Sequence, residues 1–136
     1  MRVDGRFITL FRHKGRLSAI DAICHHAGGP LTLGKIEDIE ELGMSVVLCP
    51  WHKFMVSIDG GIKAYQGVDI IKGKPVPSGW KSGKMVQRAH GLQECDGFLL
   101  LTLCDLEEGA CTSDTDAKSV LCSKEYEMHG FRVEKV

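Results

Sequence analysis

Two short segments of this chain each hold a cysteine and a histidine only a few residues apart, and no other feature limits its fold so tightly. The first reads Ile23-Cys24-His25-His26-Ala27-Gly28-Gly29-Pro30-Leu31, and the second reads Leu48-Cys49-Pro50-Trp51-His52-Lys53-Phe54. The pairs are Cys24-x-His26 and Cys49-x-x-His52, with 22 residues between His26 and Cys49. A fold that brings the two segments together presents two thiolates and two imidazoles to a metal. Thiolates are soft, charged ligands that suit ferric iron; neutral imidazoles in place of two of them remove negative charge and raise a reduction potential. Gly28-Gly29-Pro30 lets the first segment turn sharply, and Pro50 does so in the second. The same four donors are also a zinc set, though zinc knuckles give the Gly-Gly-Pro and Pro-Trp flanks no role. His25 lies beside His26, and the Cys-x-His spacing favours His26 as the ligand.

The rest of the chain narrows the class. Its 136 residues fit one domain, and 43% hydrophobic with 26% charged residues is ordinary globular composition. A net charge of -1 argues against a general nucleic-acid binder. No apolar run approaches the roughly 20 residues of a membrane span. The N-terminal residues lack the apolar core of a signal peptide. Six Cys and six His in such a chain point to metal or to idle thiols in a reducing, cytoplasmic compartment rather than to disulfides. Cys95, Cys104, Cys111 and Cys122 lack metal spacing and read as idle. His13 and His90 read as a turn residue and a strand residue, and His129 falls in the tail.

The organisation reads as all-β. Residues 7–12 and 16–22 predict a hairpin turned at His13-Lys14-Gly15. Residues 46–48, 53–58 and 62–66 predict short strands around the turn Asp59-Gly60-Gly61. Residues 36–42 are the only helix candidate in the body. Residues 68–84, rich in Gly, Pro and Lys, read as a long surface loop. Residues 85–92 and 98–103 predict a last hairpin through Asp96-Gly97. Beyond residue 104 there are eight acidic and four basic residues, which leaves the tail near -4 and the body near +3. The expected domain is therefore 1–104, followed by an acidic tail over 105–136 that is mobile or loosely docked, the alternative being a weak helix over 117–128.

The Cys-x-His-Ala-Gly-Gly-Pro-Leu and Cys-Pro-Trp-His segments resemble the Rieske-type 2Fe–2S ferredoxins over about residues 5–103. Residues 34–38, Cys49-Pro-Trp-His-Lys and Gln87-Arg88-Ala89-His90 look most like the small animal-type members. The resemblance implies an antiparallel β-sandwich with a small cluster-binding subdomain over about 22–56. It implies one Rieske 2Fe–2S cluster, with Cys24 and Cys49 on one iron and His26 and His52 on the other. It implies an electron carrier rather than an enzyme, moving single electrons from a reductase to an oxygenase or other acceptor. The family's first strand is not evident before residue 7. High-potential respiratory members carry a disulfide where this chain has Gly29 and Trp51, and hydroxyl side chains where it has Phe54 and Val56. Fewer hydrogen-bond donors imply a potential at the low end of the family's range, on the order of −150 mV.

Two other readings keep the ligand motif. One is a Rieske-like small subunit of a larger reductase or oxygenase complex; the other is a module built on structural zinc. A catalytic oxygenase subunit is excluded, because the chain is short and lacks a second site of two His and one carboxylate. Trp51 and Phe54 read as aromatic shields of the centre. Lys72, Lys74, Lys81 and Lys84 read as a solvated cationic stretch.

Overall fold

A computed structural model describes residues 1–105, 107 and 109–115. Among the described residues the strands are β1 (Arg2–Val3), β2 (Arg6–His13), β3 (Arg16–Asp21), β4 (Lys35–Ile39), β5 (Met44–Leu48), β6 (Met55–Ser57), β7 (Ile62–Ile71), β8 (Lys74–Met85), β9 (Ala89–Cys95) and β10 (Phe98–Thr102). They form two antiparallel sheets, ordered β1-β2-β3-β9-β10 and β4-β5-β6-β7-β8. The all-β expectation holds, and the helices among the described residues are single 3₁₀ turns.

Four hairpins close through two residues each: Asp4-Gly5, Lys14-Gly15, Lys72-Gly73 and Asp96-Gly97. Both turn residues have positive φ in every case, from 50° to 81°. This is the mirror-image turn whose twist matches that of the strands it joins, and glycine accepts the second position without a Cβ clash. The first of these turns makes β1, a strand the sequence reading did not expect.

Two expectations are corrected. Residues 36–42 are not a helix: β4 pairs with β5 from Lys35↔Leu48 to Ile39↔Met44, and only Glu40–Leu42 coil, as one 3₁₀ turn. Seven residues are too few to satisfy a helix's end groups, whereas four of them, 36–39, find a partner strand. Residues 68–84 are not a loop but the outer part of the β7–β8 hairpin. Its prolines, Pro75 and Pro77, face Ile70 and Val68. Counting from the Ile71↔Lys74 pair at the turn, these are the positions whose N–H points away from the partner, onto an open edge. Proline there removes no ladder bond, so a Pro-rich sequence still forms the strand.

The core lies between the sheets. Phe11 and Ile20 come from one, Val47, Val56 and Ile58 from the other side, with Leu31 and Val86 between. Cys24 and Cys49 belong to this same buried cluster, at 1% and 2% exposure. Val46, on the opposite face of β5, packs with Ile39, Ala64 and the half-buried Trp80.

A second, polar interior sits under the first sheet. Asp21 is fully buried and accepts from Arg6 at 2.6 Å, from Ser113 Oγ at 2.5 Å and from His90 Nε2 at 3.0 Å. The Cys104 N–H donates to His90 Nδ1 at 3.1 Å, which leaves Nε2 as the protonated nitrogen facing Asp21. Asp114 accepts from Arg88 at 2.7 and 2.9 Å and from Arg6 at 3.0 Å. The acidic stretch after residue 104 is therefore anchored where it is described: Ser113 N–H donates to Val86 O, and Ser113 Oγ accepts from Arg88 N–H. The helix expected over 117–128, with Cys122 and His129, lies outside the described residues.

The Arg88 guanidinium holds the Asp114 carboxyl well below the usual carboxylate range, against its own desolvation, with the Cys111 N–H and Arg6 adding to the effect. A carboxylate depressed in the folded state contributes stability that is complete above its unfolded value of roughly 4 and is lost as pH falls through the folded one. The urea midpoint is expected to drop below about pH 4, and Asp114→Asn is expected to flatten that drop while lowering stability at pH 7. Equal acid slopes in the two proteins would show that Asp114 carries none of it.

Candidate metal centre

The two Cys-His segments fold into the same loop. Cys24 N–H donates to Gly29 O at 2.8 Å, and Gly28 N–H to Cys24 O at 3.0 Å. Cys49 N–H donates to Phe54 O at 2.8 Å, and Lys53 N–H to Cys49 O at 2.8 Å. The fourth residue after each cysteine is left-handed, Gly28 at φ 80° and Lys53 at φ 60°. The first loop leaves β3 and is closed by the Ile23–Pro30 bridge; the second joins β5 to β6. Motif reading found the ligand types but not this repeat. Its signal is the common offset from cysteine to the left-handed residue, hidden because one loop uses Gly and the other Lys.

The repeat has an electrostatic consequence. In each loop the second and third residues after cysteine turn their N–H groups back to the sulfur: His26 and Ala27 toward Cys24, Trp51 and His52 toward Cys49. The two thiols also act on one another's ionisation. The neighbouring Cys49 pushes the Cys24 thiol far up, and burial adds to this; Cys49 is pulled down to about 6, chiefly by Cys24. Burial opposes the shift at Cys49, while the Trp51 and His52 N–H groups support it. Cys49 thus holds negative charge on a buried sulfur more readily than burial alone would allow.

The imidazoles lie outside. His26 and His52 are exposed, with ring centroids 4.9 Å apart and planes at 87°. Phe54 stacks on His26 at 4.0 Å and 16°, and meets the edge of His25 at 5.7 Å. His25 is half-buried, and its Nδ1 is 4.0 Å from Cys24 Sγ. Burial pushes its imidazole down, and the charges of Lys63 and His26 add to this. The four sequence-predicted donors therefore fall as two pairs, thiols inside and imidazoles outside. Among the described residues, no three of His, Cys, Asp and Glu form a group that could hold a single ion.

Glycine is required at position 29. A Cβ there would sit 2.5 Å from Cys49 Sγ and 3.1 Å from the Trp51 ring. The two positions singled out as disulfide sites in respiratory relatives are thus neighbours here, filled by an indole lying on a glycine. Val56 is fully buried and carries no donor. His90 and His13 are tied to carboxylates, Asp21 and Asp38, away from these loops. Cys95, Cys104 and Cys111 are free thiols.

Gln87 is the residue that motif reading missed as part of the site. It is fully buried between the sheets. Its Oε1 accepts from the His25 N–H at 2.7 Å, and its Nε2 donates to Asp21 O at 2.9 Å and Ile23 O at 2.8 Å. One side chain thereby fixes the backbone on both sides of Cys24. Gln87→Leu keeps the volume and orphans three backbone groups. It is expected to lower stability by about 3 kcal/mol in urea unfolding; a loss under about 1 kcal/mol would mean water replaces the amide.

The model of the family described as soluble Rieske-type ferredoxin matches residues 1–106. A human Rieske domain-containing protein is 37% identical over 112 residues, which is 82% of this chain and 69% of the relative. Among the described residues no helix is long and apolar enough to cross a membrane.

Proposed function

We propose, since this chain belongs to the soluble Rieske-type ferredoxin family, that it carries single electrons through a Rieske 2Fe–2S cluster held by Cys24, His26, Cys49 and His52. The observation that carries this reading is the donor set itself. The same two loops supply two core thiols, each met by two backbone N–H groups, and two exposed imidazoles whose rings meet one another. When bound, such a cluster takes up and releases one electron between a reductase and an oxygenase or other acceptor. Cys24 and Cys49 would hold one iron, and their N–H donors stabilise the thiolate charge. His26 and His52 would hold the other and present their ring edges to solvent, where a partner's redox centre can approach. Phe54 and Trp51 cover the flanks and limit water at the sulfurs. In this reading no side chain makes or breaks a bond, so the protein is a carrier and not an enzyme.

The donors that meet the two sulfurs are backbone N–H groups, and among the described residues no hydroxyl donates to either. This supports a potential at the low end, on the order of −150 mV. The test is iron, zinc and acid-labile sulfide content of anaerobically purified protein, with an EPR spectrum after dithionite and a voltammetric potential. Two irons and two sulfides per chain with a low-average-g signal are expected. One zinc and no sulfide would overturn the reading, and a potential above zero would overturn the argument from donors.

A further inference from the structure

The charge around the two loops differs from that of the chain as a whole. The chain is -1, yet residues 22–34 and 48–56 contain no Asp or Glu. Lys53 is exposed and directly follows His52. The Lys63 ammonium sits 5.7 Å from the Phe54 ring centroid and 5.5 Å from that of Tyr65, and Phe54 is stacked on His26. Lys81 is exposed opposite Tyr65 in the β7–β8 register and continues the band. Among the described residues none of these three lysines forms an ion pair, whereas Lys14 is paired with Asp38, Lys35 with Glu37 and Arg12 with Glu94. Trp51, next to His52 in the second loop, is exposed as well.

We infer that this face receives a protein partner with an acidic contact surface, and that Lys53 and Lys63 select it; the inference rests on the electron-carrier reading above. An exposed aromatic and imidazole centre with a rim of one sign suits a transient complex that must form fast and part fast. Unpaired rim charges act over about one Debye length, roughly 10 Å at 0.1 M salt, which covers the approach to His26 and His52. The chain's net charge points the other way, because a negative protein should draw cations, so local and global electrostatics give opposite results.

The experiment follows oxidation of the reduced holoprotein by two one-electron acceptors, the trianion hexacyanoferrate(III) and the trication hexaammineruthenium(III). One electron leaves the protein and reduces one metal complex in each case. The rate with the trianion should fall as salt rises from about 10 to about 200 mM, the range over which the screening length shrinks several-fold, and the rate with the trication should rise. Lys53→Glu/Lys63→Glu should reverse both slopes and slow the trianion about tenfold or more at low salt. Slopes that follow the net charge, or a double variant that matches the parent, would overturn the inference. If the chain carries no cluster, the carrier reading fails, and the surface is tested separately by NMR line broadening with the inert trianion hexacyanochromate(III). Broadening confined to the amides near residues 52–54 and 63–65 sustains the anionic-partner surface; uniform or absent broadening overturns it.

Discussion

His26→Ala and His52→Ala are each expected to abolish the visible spectrum of the iron-loaded protein, while His25→Ala leaves it largely intact. The three imidazoles occupy different environments. The His26 and His52 rings are exposed and meet each other edge to face at 4.9 Å, one from each loop. The His25 ring is half-buried against Phe54 on the flank of Cys24, and its backbone N–H is taken by Gln87. On the proposed ligand assignment, removing either exposed ring would leave an iron one ligand short, and water in its place would give a labile centre. Removing the His25 ring leaves the backbone bond to Gln87 in place. Absorbance and iron content after gel filtration read the result. Bleaching by His25→Ala with colour retained in His26→Ala would reverse the ligand assignment.

Asp21→Ala is expected to destabilise the fold by about 3–5 kcal/mol and lower Tm by more than about 10 °C. Asp21 is fully buried, and both its oxygens are engaged by Arg6, Ser113 and His90. Without the carboxylate, the Arg6 guanidinium stays inside with only part of its compensation, through Asp114. The damage also reaches the site, because Asp21 O accepts from Gln87, whose other end holds the His25 N–H. Asp21→Asn isolates the charge from the shape and is expected to show a large share of the same loss. Denaturant unfolding of the two variants checks this. A loss below about 1 kcal/mol in Asp21→Ala would mean that the network rearranges around water.

The strands were legible wherever a two-residue turn ending in glycine stood between apolar runs. Lys14-Gly15 and Asp96-Gly97 announced their hairpins. Lys72-Gly73 has the same form, but the flanking Pro and Lys residues disguised it. Proline excludes a strand only where its missing N–H is needed, and that depends on the partner's register. Residues 36–42 failed for a related reason. Ile36 and Ile39 suit one face of a short helix, and only pairing with β5 selects the strand.

The candidate ligands were legible because their chemistry is local. Cysteine and histidine are chosen by ligand type, and their spacing is set by a loop of a few residues. The environment of those ligands was not. Gln87 stands 62 residues from the His25 N–H it accepts from, and Asp114 stands 108 residues from Arg6. No window of sequence relates such groups, since their pairing follows from which strands share a sheet. By itself the sequence therefore determined the candidate donors, the family and the all-β class, which rest on side-chain type and short spacing. Only the tertiary structure decided that the thiols lie in the core beneath N–H donors with the imidazoles outside. The reason is that burial and hydrogen-bond partners belong to the packing of the two sheets, and not to either loop alone.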